Sequence, residues 1–99
     1  MSRQPSPTYD LLLVQEAVRR GDVQATQVAL DGAAALGLDF DDITACVLAL
    51  DDSDFYKTME ARKMRGLMQD VYRPTYDGIS IYLKLQMRSG AVVISFKQR

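Results

Sequence analysis

The sequence contains no histidine and no tryptophan, and it has a single cysteine, Cys46. One thiol excludes an internal disulfide bond, which fits a reducing compartment. Together with the lack of histidine, it also excludes the usual zinc sites. Histidine is also the commonest general acid and base in enzymes, so its absence removes that option. Any catalysis must therefore use Lys, Arg, Tyr, Gln or carboxylate side chains, and we expect no metal site and no cofactor.

Long apolar stretches are missing too. No run of about 18 apolar residues occurs, so the sequence predicts no membrane span. The N-terminal "MSRQPSPTYD" lacks the apolar core of a signal peptide, which favours a cytoplasmic location. With 99 residues, 47% hydrophobic and 25% charged, the chain is expected to form one domain over residues 1–99, with a single core.

Charge is unevenly distributed along the chain, although the net charge is only −1. Residues 1–54 hold three basic and ten acidic side chains, a net charge of −7. Residues 55–99 hold nine basic and three acidic side chains, a net charge of +6. Such asymmetry indicates a basic half that meets phosphate. The alternative is that the two halves pair with each other on the surface.

The first half has the apolar spacing of helices. Leu11, Val14 and Val18 form the stripe of a first helix, which Leu12, Leu13 and Ala17 widen and which Gly21 caps. A second helix is expected from about residue 24 to residue 36, ending at Gly37. A third begins at the cap Asp39 and carries Ile43, Cys46, Val47 and Leu50 on its apolar stripe. Cys46 is therefore interpreted as core packing, not as a reactive thiol.

The second half changes to the alternation of strands. In residues 79–87, the apolar side chains from Ile79 to Met87 share one face, while Tyr82 and Lys84 lie on the other. Residues 88–90 predict a hairpin turn into residues 91–97, and residues 54–60 and 68–74 are two further strand candidates. These patterns predict an α+β domain whose N-terminal helices pack on one face of a C-terminal antiparallel sheet.

The face left uncovered by the helices carries the polar side chains. If Ile94 and Phe96 lie under the helices, Ser95 and Lys97 join Tyr82 and Lys84 on this face. Alternation places Gln69 on one side of its strand together with Val71 and Arg73, opposite Met68, Asp70 and Tyr72. It also places Lys57 on one side with Phe55 and Met59. If Lys57, Gln69 and Arg73 share the uncovered face, that face has cations, a phenol and an amide but no carboxylate.

Such a surface suits a phosphodiester. Metal-free RNA cleavage uses the 2′-hydroxyl of the substrate as its nucleophile, and cations stabilise the charge of the transition state. A lysine crowded by other cations has a lowered pKa and can act as a base. The alternative is an ordinary solvated sheet face guarded by lysines.

Five ordered segments resemble the motility quorum-sensing regulator (MqsR) toxins: "GLDFDDI", "SDFYKTM", "QDVYRP", "IYLK" and "SFKQR". The resemblance covers roughly residues 34 to 99 and is looser in "PTYDLLLVQEAV". It implies a RelE-like fold and the toxin of a type II toxin–antitoxin system. It also implies a ribosome-independent and metal-independent endoribonuclease that cuts messenger RNA at GC-containing triplets and leaves a cyclic phosphate.

Carried over motif by motif, the resemblance implies catalytic roles for Lys57, Gln69, Tyr82 and Lys97. Tyr56, Met59 and Arg73 would support the site, and Lys84 of "YLK" joins them as a substrate contact on the same face. Two departures from the family pattern stand out. Met68 replaces the usual Trp, and residues 60–67 form a basic loop instead of a polar one.

The resemblance also implies a partner, an antitoxin with a zinc-binding N-terminal half and a helix-turn-helix half that binds DNA. The acidic helical half of this chain is a candidate docking surface for it. Two other interpretations remain: a non-catalytic regulator that binds nucleic acid or sequesters an antitoxin, and a plain protein-interaction domain.

Overall fold

The computed structural model of the chain describes residues 6–99. Three helices, α1 (Leu11–Arg19), α2 (Gln27–Ala34) and α3 (Phe40–Leu48), lie in the first half, and a short 3₁₀ helix spans Asp52–Asp54. The strands are β1 (Val23–Ala25), β2 (Phe55–Glu60), β3 (Met68–Tyr72), β4 (Thr75–Tyr76), β5 (Ile79–Met87) and β6 (Ala91–Gln98).

Helix ends follow the capping residues that the sequence offers. The Asp10 side chain accepts a hydrogen bond from the Leu12 amide and starts α1. Asp39 starts α3 in a reciprocal capping box with Asp42, as predicted from its position. Gly21 lies just beyond α1 with a φ of +80°, the left-handed conformation that a helix C-terminus favours.

The helical prediction was wrong in two details. Leu12 and Leu13 do not widen the buried stripe of α1, because they are 72% and 60% exposed. The second helix begins at Gln27 and not near residue 24, since Val23–Ala25 forms β1 instead. Thr26 ends that strand and caps α2, its hydroxyl accepting a hydrogen bond from the Ala29 amide.

The sheet has the strand order β1-β6-β5-β3-β2, with β4 paired to β5 beside this path. All pairings are antiparallel except β1 with β6, where Gln24 lies opposite Val92 in a parallel register. The α+β class is thus confirmed, and the parallel pair makes the sheet mixed. Strand β1 has only three residues, too few for alternation to reveal it.

The core lies between the helices and one face of the sheet. The predicted inward row of β5 is confirmed, because Ile81, Leu83 and Leu85 are fully buried and Ile79 and Met87 pack against them. Cys46 is buried in this core as predicted, and burial raises the pKa of its thiol to about 12. At that pKa the thiol is neutral and inert near pH 7.

Two β-bulges break the alternation that the sequence suggested. The register between β5 and β6 shifts after the pair Lys84 and Ser95, so that Leu85 lies opposite Val93 and Ile94 is an extra residue. Val93 is therefore buried in the core, and the prediction that Ile94 lies under the helices was wrong. Ile94 instead lines a cavity on the uncovered face.

The second bulge lies in β2, where Phe55 pairs with Tyr72 and Lys57 pairs with Val71. Tyr56 is the extra residue. As a result Phe55 contacts the core, its ring edge-on to Tyr72 at a centroid distance of 5.5 Å. The prediction that Phe55 shares its side with Lys57 was therefore wrong.

Gly32 allows α2 to lie directly on β6. A Cβ atom at this position would be 1.9 Å from the Phe96 carbonyl oxygen and 3.7 Å from the Lys97 Cα. No side chain fits in that space, since real Cβ contacts essentially never fall below 3.0 Å. The glycine that weakens the helix pattern is thus required by close packing.

Asp70 anchors the segment before α1 to β3. Its fully buried carboxylate accepts hydrogen bonds from the amides of Thr8 at 2.9 Å and Tyr9 at 2.8 Å. The Tyr9 hydroxyl also donates to the Met68 carbonyl oxygen at 2.7 Å. These bonds occupy the helix-covered side of β3 and leave Gln69 to the other side.

No helix among the described residues 6–99 is long and apolar enough to cross a membrane.

Candidate active site

The uncovered face of the sheet, here called the open face, carries a row of side chains across four strands. Lys57 of β2 lies opposite Val71 of β3. Val71 lies opposite Lys84 of β5 on its other side, and Lys84 lies opposite Ser95 of β6. Val71 is fully buried although it belongs to the open face. Strands are about 4.8 Å apart, so Lys57 and Lys84 flank Val71 at roughly 10 Å between their Cα atoms.

Lys84 lies at the centre of this cationic surface. Partial burial lowers the pKa of its ammonium group, and the positive charges of Lys97, Arg62 and Lys57 lower it further. The lowered pKa means that Lys84 gives up its proton more readily than a free lysine does. It also shows that four cations from β2, β5, β6 and the loop before β3 act on one another.

Two aromatic rings hold cations along one side of the row. The Lys97 ammonium lies 5.1 Å from the centre of the Tyr82 ring, and the two residues are cross-strand partners. Near the bulge of β2, the Arg73 guanidinium lies 4.7 Å from the Tyr56 ring centre and the Lys57 ammonium 5.5 Å from it. Cation–π contacts of this kind fix long side chains in position.

Gln69 and Met59 lie on the other side of the row. They are cross-strand partners of β3 and β2. Gln69 is only 8% exposed, and its side-chain nitrogen donates to the Gln86 side-chain oxygen at 3.1 Å. Met59, Gln69, Lys84 and Gln86 border one cavity of about 660 Å³.

Within residues 6–99, no carboxylate forms a salt bridge with a cation of the open face, although Asp54 lines a hollow with Arg73 and Arg99. In the part of the chain that the structure describes, both salt bridges lie in the acidic half, Arg19 with Glu16 and Arg20 with Asp22. The alternative that the two charged halves pair with each other is therefore wrong for residues 6–99. The cations of the second half remain available for an external anion.

The structure brings the predicted site residues to one face. Lys57, Gln69, Tyr82, Lys84 and Lys97 occupy open-face positions of the strand registers. Met59 pairs with Gln69, and Arg73 and Tyr56 stack at the end of β3. Met68 lies on the other side of β3 from Gln69, as alternation predicted.

Two residues of this surface were not predicted as site residues. Gln86 follows Tyr82 and Lys84 at strand spacing and alternation places it on their face, but no role was predicted for it. Arg99 gave no sequence signal. Its guanidinium donates to the carbonyl oxygens of Ile81 and Arg73, both at 3.1 Å, and it lines a hollow with Tyr56 and Arg73.

Chemically, the arrangement combines charge stabilisation with proton transfer. Fixed guanidinium and ammonium groups stabilise negative charge on phosphoryl oxygens without reorganising. A lysine of lowered pKa and a phenol among cations can exchange protons. Among residues 6–99, no group of three or more His, Cys, Asp or Glu side chains could hold a metal ion.

The fold and the site define a small α+β protein with a cationic sheet face. The profile of the family described as "Motility quorum-sensing regulator, toxin of MqsA" matches residues 6–98. A protein of Escherichia coli (strain K12) named "mRNA interferase toxin MqsR" is 37% identical over 94 residues, covering 95% of this chain and 96% of that protein. The chain belongs to the motility quorum-sensing regulator toxin family.

Proposed function

We propose that this chain is the toxin of a type II toxin–antitoxin pair and acts as an endoribonuclease on messenger RNA in the cytoplasm. The observation that carries the proposal is the open face itself, where Lys57, Lys84, Lys97 and Arg73 surround Gln69 and Tyr82 without a carboxylate. The family and its Escherichia coli member, an mRNA interferase toxin by name, support the same activity.

The proposed reaction needs no metal. A base removes the proton of the 2′-hydroxyl, and the resulting oxygen attacks the adjacent phosphorus. The bond from phosphorus to the 5′-oxygen breaks, and an acid protonates that oxygen as it leaves. The products are a 2′,3′-cyclic phosphate and a free 5′-hydroxyl, so atoms and charge balance without a co-reactant. The requirement for the 2′-hydroxyl confines the activity to RNA.

Within this reaction, Lys57, Gln69, Tyr82 and Lys97 are the proposed catalytic residues. Lys57 and Lys97 lie on opposite sides of Lys84 and stabilise the equatorial oxygens of the transition state. Gln69 donates or accepts a hydrogen bond at the reacting group. Tyr82 is held against Lys97, at 5.1 Å from ring centre to ammonium, and exchanges the proton at one oxygen.

Tyr56, Met59, Arg73 and Lys84 are the proposed substrate contacts. The Tyr56 ring, 46% exposed, offers a surface on which a base can stack while Arg73 contacts a phosphate. Lys84 supplies charge at the centre of the row. The resemblance adds a preference for GC-containing triplets.

The decisive experiment incubates a defined RNA with the purified chain in excess EDTA. Wild type should cleave at GC-containing triplets and leave cyclic phosphate ends, while Lys57→Ala, Tyr82→Phe and Lys97→Ala should each lose at least tenfold in rate. Arg19→Ala, on the helical half, is the matched control and should cleave normally. Equal cleavage by all variants would refute the residue assignment, and cleavage only after metal addition would refute the mechanism.

The second candidate function is a non-catalytic regulator that binds RNA or sequesters the antitoxin. It predicts RNA binding without turnover, and induction of the chain alone would not arrest growth. The exposed, unpaired cations of the open face suit binding equally well, so turnover is the observation that separates the two functions.

The proposed antitoxin partner docks on the acidic half. Asp10, Asp51, Asp52 and the exposed Leu12 are among the residues that line a hollow of about 250 Å³. An exposed leucine beside three carboxylates fits a basic segment that carries an apolar side chain. The resemblance adds that this antitoxin binds zinc through its N-terminal half and DNA through a helix-turn-helix.

A binding titration of the toxin with its antitoxin tests the docking surface. Leu12→Ser should weaken the complex at least tenfold, and raising the salt concentration should weaken it further. Val28→Ser serves as the control, because Val28 is also exposed, at 67%, but lies outside this surface. An affinity that neither change alters would refute the surface, and an antitoxin without bound zinc would refute the partner's proposed chemistry.

A further inference from the structure

A cavity of about 660 Å³ lies on the open face beside the proposed catalytic residues and is here called the loop-side cavity. Its walls are apolar side chains of β2, the loop before β3 and the bulge of β6: Met59, Met64, Leu67 and Ile94. Lys84 and Gln69 border it, so the cavity is continuous with the proposed cleavage site. Methionine side chains adapt their shape and contact aromatic rings favourably.

Gln86 lies at the floor of the loop-side cavity and is only 7% exposed. Its side-chain oxygen accepts a hydrogen bond from the Gln69 amide nitrogen. The Gln86 amide nitrogen and the Gln69 side-chain oxygen take no part in that bond. Neither atom has a hydrogen-bond partner among the described residues. Among the described residues, the Tyr72 hydroxyl is the one fully buried polar side-chain atom without a hydrogen-bond partner. The two glutamine atoms are therefore not fully buried. Gln69 lines the loop-side cavity, and Gln86 lines it together with a second hollow of about 280 Å³ beside β1.

The paired amides thus present a hydrogen-bond donor next to an acceptor on an apolar floor. This pattern complements the edge of a nucleobase, where a ring or carbonyl acceptor lies beside a donor. The rim of the cavity is cationic, formed by Arg62, Lys63, Lys84 and Arg88. Positive charge at the rim favours a base whose flanking phosphates cross it.

We propose that the loop-side cavity binds one unpaired nucleobase next to the cleaved phosphodiester, and that Gln86 selects this base by a hydrogen bond to its edge. The inference rests on the proposed endoribonuclease function and adds a specificity-determining residue to it. It also assigns a role to the basic loop of residues 60–67, which supplies one wall and part of the rim. Base selection by splayed, unstacked nucleotides is the usual mode of reading single-stranded RNA.

The variant Gln86→Glu distinguishes two roles of Gln86, selection of the base and positioning of the Gln69 side chain. A glutamate oxygen still accepts the hydrogen bond from Gln69, but the group that faces the cavity changes from a donor to an acceptor. Gln86→Met has similar volume and removes both interactions. Cleavage sites are mapped on a random-sequence RNA pool, with Gln24→Glu on β1 as the matched control outside the cavity.

At one nucleotide position beside the cut, Gln86→Glu should shift the preferred base toward those that offer an amino group. Gln86→Met should reduce discrimination at that position about tenfold. Gln24→Glu should reproduce the wild-type profile. Met64→Ala, in the exposed loop, removes one wall with little risk to folding and should weaken discrimination at the same position.

Cleavage by wild type together with unchanged site profiles in the Gln86 and Met64 variants would overturn the inference. A uniform rate loss at all sites would overturn it as well, because it would show that Gln86 only positions Gln69. If the wild-type chain cleaves no RNA, the proposed function itself is refuted. That result differs from unchanged cleavage profiles in the variants, which require an active wild type.

Discussion

At the scale of single residues, Lys84 shows how a functional surface opposes stability. Its ammonium group is partly buried and faces the charges of Lys97, Arg62 and Lys57, and both effects lower its pKa. A lowered pKa means that the protonated lysine is less stable in the folded chain than in the unfolded chain. The fold tolerates this cost because the position lies at the centre of the proposed RNA site.

Lys84→Met is therefore expected to raise stability and to lower activity. Removing the crowded charge while keeping the apolar stem should raise the Tm by roughly 1 to 3 °C. Cleavage of RNA should fall at least tenfold, because the row of cations loses its central member. Thermal unfolding and RNA cleavage are measured on the same preparation, with Arg19→Met on the helical half as a control. A Tm below that of wild type would contradict this account of Lys84.

At the scale of elements, one hydrogen bond ties β4 to α3. The Tyr76 hydroxyl donates to the Asp42 carboxylate at 2.8 Å, and the same carboxylate accepts from the Asp39 amide in the capping box. The bond raises the pKa of Tyr76 to about 12 and, together with the capping amide, lowers the pKa of Asp42. The turn after β4 uses Asp77 and Gly78, both with positive φ, as a two-residue hairpin requires.

The pH dependence of this bond has a definite sign. The pKa of Tyr76 is raised, so its contribution to stability is present below pH 10 and is lost as pH rises toward 12. The pKa of Asp42 is lowered, so its contribution is present above pH 3.8 and is lost as pH falls through the lowered pKa.

Tyr76→Phe should lower the Tm by roughly 2 to 4 °C at pH 7 and make the loss of stability between pH 9.5 and about 11 shallower than in wild type. Urea unfolding at several pH values measures both effects. Tyr56→Phe, which removes an exposed hydroxyl outside this bond, is the control. Parallel curves for wild type and Tyr76→Phe would show that the bond to Asp42 does not couple folding to pH.

The elements also show what the sequence could and could not predict. Regular periodicity predicted α1, α3 and the inward row of β5, and with it the open-face positions of Tyr82 and Lys84. The errors in the strands arose where the chain inserts or pairs a residue irregularly. The bulges at Tyr56 and Ile94 shift alternation by one residue, and a bulge depends on the neighbouring strand, which no single segment specifies. Strand β1 is a three-residue edge held by a long-range parallel pairing.

Most residues of the candidate site could likewise be predicted from the sequence. Alternation and the motifs placed Lys57, Gln69, Arg73 and Lys97 on one face, although the choice of face for β2 depended on a bulge. Arg99 acquires its place only through tertiary contacts, with Arg73 and Ile81. Gln86 lies on the face that alternation predicts, and only its hydrogen bond with Gln69 depends on the fold.

At the scale of the whole molecule, the charge is divided between two surfaces. The acidic helices lie behind the sheet and the cations lie on its open face, and no salt bridge within residues 6–99 joins the two. This polarity lets one small chain offer a cationic surface to RNA and an acidic surface to a protein. The two partners would then bind at surfaces of opposite charge.

The affinity for single-stranded RNA should fall with salt in proportion to the phosphates contacted. If Lys57, Arg73, Lys84 and Lys97 each neutralise one phosphate, the logarithm of affinity should fall against the logarithm of salt concentration with a slope of about −2.8. Arg73→Gln should reduce this slope to about −2.1, whereas Arg20→Gln on the helical half should leave it at the wild-type value. Fluorescence anisotropy with a 2′-O-methyl RNA, which cannot be cleaved, measures the slope. A slope near zero for wild type would exclude an electrostatic RNA surface.

The close approach of α2 to β6 has a genetic consequence. A cell that carries the toxin gene without its antitoxin survives only by disabling the toxin. Gly32 has no side chain to contact RNA, yet any side chain there collides with the Phe96 carbonyl and displaces the strand that presents Lys97. Among spontaneous survivors, substitutions of Gly32 should therefore recur beside those of the open face, and a map of escape mutations would trace the packing behind the site as well as the site.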